Sequence, residues 1–215
     1  MRVETKFLGY TGNLMQLSNV LLVFLVNIIG TITIICYSFI MATFFLILYV
    51  YVKRKIKRVK QLVSNMNIHV DILENIETLD VGKPFFSTFW IFLGIAVSFL
   101  IFPVNIAVVS CLFLAISDVL ANLVGKKFGK HKLMGRKTFE GTLAFLISAF
   151  AIAFIFFQSN IAIVGAVGAT LFELLPSVKP FDKLKKIHIL DDNFLIPVGS
   201  SFLMWLALNK ILFGI

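Results

Sequence analysis

FFSTFWIFLGIAVSFLIFPVNIAVVSCLFLAISDVLANLV, Phe85 to Val124, holds two apolar runs separated only by the turn at Pro103 and Asn105. Each run approaches the ~20 residues that a helix needs to cross a hydrocarbon core roughly 30 Å thick, at about 1.5 Å per residue. Proline and asparagine are turn formers at the break. The stretch therefore reads as a transmembrane hairpin, Phe85–Phe102 followed by Ile106–Val124. The rest of the chain has the same character. Hydrophobic residues make up 59% and charged residues only 14%, against roughly 25% charged in soluble domains. A backbone crossing lipid must satisfy its own polar groups, and no alternating barrel pattern is present, so the expected fold is an all-α, multi-pass transmembrane helix bundle.

Upstream, Leu14 to Val52 is apolar over 39 residues. One straight helix of that length would reach about 58 Å, so two spans with a turn near Asn27–Thr31 fit better, Gly30 permitting the unusual backbone angles. A single long helix that leaves the bilayer is the other reading. The stretch is too long for a signal-peptide core, and no small-residue cleavage pattern follows it. Downstream, Thr142–Phe157, Ile161–Leu175 and Phe194–Phe213 read as further spans. The total is seven, with six as the alternative. We divide the chain at residue 84, into an N-terminal part (1–84) with two spans and a basic segment, and a core (85–215).

Three charged loops lie between the spans: Lys53–Pro84, Gly125–Glu140 and Pro176–Asn193. They hold seventeen of the twenty Lys and Arg. An even number of spans separates each loop from the next, so all three can share one side. The positive-inside rule makes that side cytoplasmic. Within the first loop, Leu62, Met66, Leu73, Ile76 and Leu79 suggest an amphipathic helix on the membrane surface, stopped by Gly82 and Pro84. The net charge of +9 is thus directed at anionic lipid and loop ligands rather than at nucleic acid. Cys36 and Cys111 sit apart in apolar runs and read as buried small side chains, with neither disulfide nor metal spacing. Trp90 and Trp205 read as interfacial or packing aromatics. His69, His131 and His188 show no ligand spacing. His131, inside the second basic loop, can touch a phosphate.

The segment SDVLANLVGKKFGKHKLMGRKTFEGT, Ser117 to Thr142, carries the most chemistry. An ionised carboxylate at the centre of a span costs roughly 2.5–3.5 kcal/mol even on the mildest scale, so Asp118 is expected to face a polar cleft. Asp118, Asn122 and Gly125 recur at i, i+4 and i+7 on one helix face, with Ala121 beside them. The plain alternative is an Asp paired with a loop lysine. Gly125 and Gly129 let backbone approach phosphate oxygens, and Lys126, Lys127, Lys130, Arg136 and Lys137 neutralise them. Thr138 offers a hydroxyl or a helix cap, and Glu140 and Gly141 open an apolar helix whose N-terminus favours an anion. An ordinary basic loop would need no ligand. Asp191, Asp192 and Asn193 precede the last span. One such residue suffices as a cap, and paired carboxylates beside a polyphosphate suggest Mg²⁺ binding or general-base work, with Glu173 able to join them.

These residues resemble the signature of the CTP-dependent polyprenol kinase family, which includes dolichol, phytol and CTP-dependent diacylglycerol kinases. The first block is Asp118, Ala121, Gly125, Gly129, Lys137, Thr138, Glu140 and Gly141. The second is Glu173, Leu175 and Pro176, then Asp191, Asp192, Asn193 and Pro197. Phosphatidate cytidylyltransferases share much of the first block; the acidic block favours the kinases. An Arg-Lys-x-x-His element found near the N-terminus of many members is absent. The resemblance implies phosphoryl transfer from CTP to the hydroxyl of a polyprenol- or dolichol-type isoprenoid alcohol. It implies Asp118, Asp191 and Asp192 as catalytic residues and Mg²⁺ on Asp118, Asp192 and Glu173. Nucleotide contacts would come from Asn122, Gly125 to Lys127, Gly129, Lys130, Arg136 to Thr138, Glu140 and Gly141, with Asn193 in support. The site would face the cytoplasm, from the cell membrane or, in a eukaryote, the ER membrane. A CDP-lipid synthase and a non-enzymatic transporter or scaffold are the rival readings.

Single cysteines placed at Lys57, Lys130 and Lys185 in a cysteine-free background should react with impermeant reagents from the cytoplasmic face only. Labelling of any of them from the outer face alone overturns the orientation.

Overall fold

The computed structural model describes residues 30–65, 83–135, 137–178 and 191–209. The described residues form helix α1 (Thr31–Asn65), α2 (Lys83–Ile101), α3 (Val104–Leu112), a π-helical turn (Phe113–Ser117) and α4 (Asp118–Phe128). A short hairpin, β1 (Lys132–Met134) and β2 (Lys137–Thr138), leads into α5 (Phe139–Phe156). Then come α6 (Ser159–Leu174), a 3-10 turn (Leu175–Ser177) and α7 (Asp192–Leu208). Five helical stretches are long and apolar enough to cross a membrane, and α7 is a shorter apolar helix. The all-α membrane bundle stands. The first of the seven expected spans lies outside the described residues.

The hairpin that opened the reading is present. Pro103 breaks the chain between α2 and α3, and the run from Val104 to Phe128 is one continuous rod interrupted only in hydrogen-bonding pattern by the π turn. Gly30 adopts φ +87 directly before α1, where the sequence places a turn. Two expectations need correction. The Lys53–Lys60 cations do not open a loop; they ride on α1, which runs to Asn65. Lys, Arg and Gln are good helix formers, and no Gly or Pro interrupts the segment. At about 52 Å, this 35-residue helix outruns the hydrocarbon core. Likewise α4 extends through Gly125–Lys127 to Phe128, so the second basic segment starts on a helix and turns through a hairpin. Beyond Asn65, the proposed surface helix lies outside the described residues, as does most of the third basic segment. Cys36 is exposed rather than buried, on an outer face of α1, and Cys111 is buried; both are free.

Small residues set the helix contacts. Lipid tails are as apolar as leucine, so helices in a bilayer associate through close packing and polar contacts. Ala149 and Ala153 of α5, and Ala162, Ala166 and Ala169 of α6, are fully buried around Phe113, Phe145, Ile196 and Met204. The Ser201 hydroxyl donates to Ser110 at 2.6 Å, tying α7 to α3. One close approach, of backbone to backbone, joins α4 to α5. A Cβ on Gly141 would meet the Ala121 carbonyl oxygen at 2.8 Å and the Gly125 Cα at 3.3 Å. A second close pair joins α2 to α7, where Gly94 lies under Pro197 and the Asn193 carbonyl.

Because the atoms facing Gly141 are backbone and cannot swing aside, Gly141→Ala should destabilise the protein by about 1–3 kcal/mol. A thermal melt in detergent checks it; an unchanged midpoint would mean that α4 and α5 can separate without cost.

Candidate functional site

The end of α6, the start of α7, the Val104–Phe128 rod and the hairpin converge on Lys137. The Lys137 Nζ lies 2.6 Å from Glu173 Oε1, 3.4 Å from Asp192 Oδ2 and 3.8 Å from Asp118 Oδ1. Glu173 sits in the last turn of α6 and Asp192 opens α7, whereas Asp118 lies inside the continuous Val104–Phe128 rod, directly after the π turn. Glu173 is 1% exposed and Asp118 5%, so these are charges taken almost wholly out of solvent. Asp118 faces this polar cluster, as its cost in hydrocarbon demands. It also accepts from Asn122 Nδ2 at 3.2 Å, the i, i+4 partner on its own helix. The π turn ends at Ser117, immediately before it; single π turns inside α-helices recur at functional sites.

Burial alone would pull the Lys137 pKa down. The carboxylates of Asp192, Asp118 and Glu173 overcome that, and the net shift is upward, so the ammonium stays charged. Removing Lys137 takes away the ammonium that the buried Glu173 carboxylate meets at 2.6 Å, and losing one partner of a buried ion pair costs about 3–5 kcal/mol.

The hairpin aims Lys137. β1 and β2 pair antiparallel, with Lys132 opposite Thr138 and Met134 opposite Lys137. Gly135 supplies the turn with φ +56, a conformation that favours glycine. Thr138 then caps α5: its Oγ1 accepts from the Gly141 N–H at 3.2 Å. The same hydroxyl would lie 2.9 Å from a Cβ on Gly125 or on Gly129. Three glycines of the first signature block thus close around Thr138 and fix the residue next to Lys137. Glu140 fastens the other strand. Its Oε1 lies 2.7 Å from His131 Nδ1 and accepts the His131 backbone N–H at 3.2 Å, and the Phe139 N–H donates to the His131 carbonyl.

The Asp-Asp-Asn block divides its work. Asp191 is the N-cap of α7: its Oδ1 accepts from the Asn193 N–H at 3.0 Å and from Asn193 Nδ2 at 2.7 Å. Asp192 is the member that reaches Lys137. Asp191 thus does the capping that the sequence allows for, and Asp192 lies beside the Lys137 ammonium. Desolvation, then the charge of Asp192, raises the Asp191 pKa above the usual carboxylate range, and the Asn193 hydrogen bonds only partly offset this. Asn193 also donates to Ser87 Oγ on α2 at 2.7 Å, a tie that the sequence did not reveal, since the two residues are 106 apart. Trp90 packs edge-on against Phe194 beside it.

Of the other expected nucleotide contacts, Lys126, Lys127, Gly129 and Lys130 are exposed, and Lys127 Nζ sits over the Phe128 ring. Arg136 lies outside the described residues. The donor set for a divalent cation is all oxygen, which suits Mg²⁺. As they stand around the ammonium, however, no three acidic side chains among the described residues form a ready-made metal site.

Parts of the chain are similar to curated lipid kinases. It is 35% identical over 85 residues to a dolichol kinase of Saccharomyces cerevisiae, covering 39% of this chain and 16% of that protein. It is 30% identical over 105 residues to a phytol kinase of a Synechocystis species, covering 46% and 43%. To a CTP-dependent diacylglycerol kinase of Schizosaccharomyces pombe it is 28% identical over 125 residues, covering 54% and 57%. The chain therefore spans less than two thirds of each of these relatives. No family model and no solved structure matches it.

The hairpin staple has a direct readout. Glu140→Gln should speed amide hydrogen exchange at His131 and Phe139 several-fold while exchange in the middle of α5 is unchanged. Equal exchange at His131 in both proteins would show that strand pairing alone holds the hairpin.

Proposed function

Because the chain is related in sequence to the polyprenol kinases, we propose that it is a membrane lipid kinase. It transfers the terminal phosphate of CTP to the hydroxyl of a polyprenol- or dolichol-type isoprenoid alcohol. The observation that carries this reading is the convergence of Lys137 with Asp118, Glu173 and Asp192, carboxylates carried on apolar helices. Such a place touches both phases: the acceptor arrives through the bilayer and the nucleotide through water. Phosphoryl transfer asks for positioning and charge neutralisation more than for covalent catalysis.

The exposed Lys126, Lys127 and Lys130, with Arg136, draw the triphosphate to the cluster. Lys137 supports the γ-phosphoryl group as negative charge redistributes over its oxygens. Asp118, Asp192 and Glu173 supply oxygen ligands for Mg²⁺, which when bound neutralises phosphate charge; one or two carboxylates suffice beside phosphate and water. A carboxylate of the Asp191–Asp192 pair takes the proton from the acceptor hydroxyl. Its oxygen forms the new bond to the γ-phosphorus, the bond from that phosphorus to the β-γ bridging oxygen breaks, and CDP leaves. The cluster sits on the side of the membrane that the basic segments mark as cytoplasmic.

A cytidylyltransferase would use the same donor, attack the α-phosphate and release pyrophosphate. Purified protein incubated with labelled CTP and a panel of lipid alcohols distinguishes the readings. CDP and a lipid monophosphate are expected; pyrophosphate would identify the cytidylyltransferase, and no turnover would favour a scaffold. Asp192→Asn and Asp118→Asn should each lower kcat by about 10²-fold or more, with the bundle still folded. Lys137→Ala should lower kcat/KM to a similar degree. Near-normal turnover in both aspartate variants would refute a shared site.

A further inference from the structure

Two faces of α1 differ in what they meet. Ile34, Ser38, Ala42 and Phe45 are buried, and Tyr49 continues that line onto the Phe86 ring of α2 at 4.6 Å. On the opposite side Ile40, Phe44, Ile47 and Tyr51 are each more than half exposed. They recur at i, i+4, i+7 and i+11, so they form one stripe, and on a helix that crosses lipid such a stripe meets acyl chains. The stripe leads into cations. At about 100° per residue, Arg54, Lys55 and Arg58 fall within about 60° of the line through Ile40, and all three are exposed. From Thr31 to Val52 the helix carries no charge and rises about 33 Å, close to the thickness of a hydrocarbon core. Arg54 to Arg58 lie about 3–9 Å farther on, in the layer that lipid head groups occupy. No acidic residue occurs on α1, and among the described residues no carboxylate pairs with these three cations. Aromatic rings mark the same level: Phe86 packs on Trp90 at 5.8 Å, and Trp90 on Phe194 at 5.4 Å. Tyr and Trp collect at membrane interfaces. The basic end of α1 therefore shares a side of the bundle with the first turn of α7.

We propose that the outer face of α1 binds an anionic phospholipid of the surrounding bilayer. Its acyl chains lie along Ile40, Phe44, Ile47 and Tyr51, and Arg54 and Arg58 hold its phosphate, with Lys55 beside them. Arg58 follows Arg54 at i+4, so the two side chains are neighbours on the helix. Their planar forks match phosphate oxygens in pairs, as a lysine does not. A sidedness signal asks only for positive charge at this end of the span. It does not ask for arginines that prolong the lipid-facing line and have no acidic partner. A zwitterionic head group brings its own cation to the phosphate, so the site favours lipids with a net negative charge. The proposal does not rest on the kinase reading.

Brominated lipids test it at one position. The full chain carries Tyr51→Trp as reporter, with Trp90→Phe and Trp205→Phe, in phosphatidylcholine vesicles. Quenching by brominated phosphatidylglycerol is compared with quenching by brominated phosphatidylcholine. The relative association constant should favour phosphatidylglycerol by about fivefold or more at low ionic strength and fall as salt is added. Arg54→Gln, Lys55→Gln and Arg58→Gln together should bring the ratio to about one with α1 still helical, since glutamine is a good helix former. A ratio near one in the reporter protein, or an undiminished ratio in the triple variant, overturns the proposal and leaves the cations as a sidedness signal. Loss of the preference on adding CTP overturns it too, by identifying the three cations as nucleotide contacts. Should the triple variant not fold, Arg58→Gln alone should at least halve the ratio, and an unchanged ratio overturns the proposal. Should the reporter protein not fold, spin-labelled lipids are used with the unaltered chain. A larger immobilised fraction of phosphatidylglycerol than of phosphatidylcholine, lost on Arg58→Gln, supports the site; equal fractions overturn it.

Discussion

One ammonium organises the charged end of this bundle. α6 and α7 each carry a carboxylate at one end, the Val104–Phe128 rod carries Asp118 along its length, and repulsion among Asp118, Glu173 and Asp192 would force these helices apart. Lys137 is the partner they share. A carboxylate in hydrocarbon is expensive, and a buried ion pair returns that cost only with close geometry. The 2.6 Å contact to Glu173, the most buried of the three, meets that requirement; the longer contacts to Asp118 and Asp192 supply field rather than hydrogen bonds.

Everything around the cluster serves to place that one side chain. The hairpin is too short to be stable alone, so it borrows order from α5. Thr138 is at once the last strand residue, the cap of α5 and the body against which Gly125, Gly129 and Gly141 close. The small residues between α4 and α5 therefore do more than let two helices touch. They fix the height at which the chain leaves one helix and enters the next, and with it the reach of Lys137. On the far side, the Ser87–Asn193–Asp191 chain holds the first turn of α7 against α2, which sets where Asp192 points.

The sequence discloses most of the participants and little of their arrangement. Asp118, Glu173 and Asp192 stand out because charge at the end of an apolar run breaks the expected pattern, and all three are drawn together. Lys137 is set apart from the other cations of its loop only by the family resemblance, and nothing local shows what it meets. Its distinction comes from contacts with residues 19, 36 and 55 positions away, which no local pattern encodes. The KRKIKRVK stretch marks a side of the membrane and is helical at the same time; charge patterning speaks to sidedness and not to backbone conformation. Strands of three and two residues carry no readable period. The glycines are ambiguous for a physical reason: a position with no Cβ admits a phosphate or another helix equally, and at Gly141 the Cβ space is filled by backbone of α4.

Placing Glu173, Asp192 and Lys137 at or beside helix termini reconciles two demands on a membrane chain. Helix interiors in lipid satisfy their own backbone polar groups and leave nothing over for a ligand. Helix ends have unsatisfied groups by construction, so polarity is already required there. Asp191 and Thr138 use that requirement as caps, and the residues beside them, Asp192 and Lys137, form the cluster. The caps keep the backbone fixed whatever the charged side chains do.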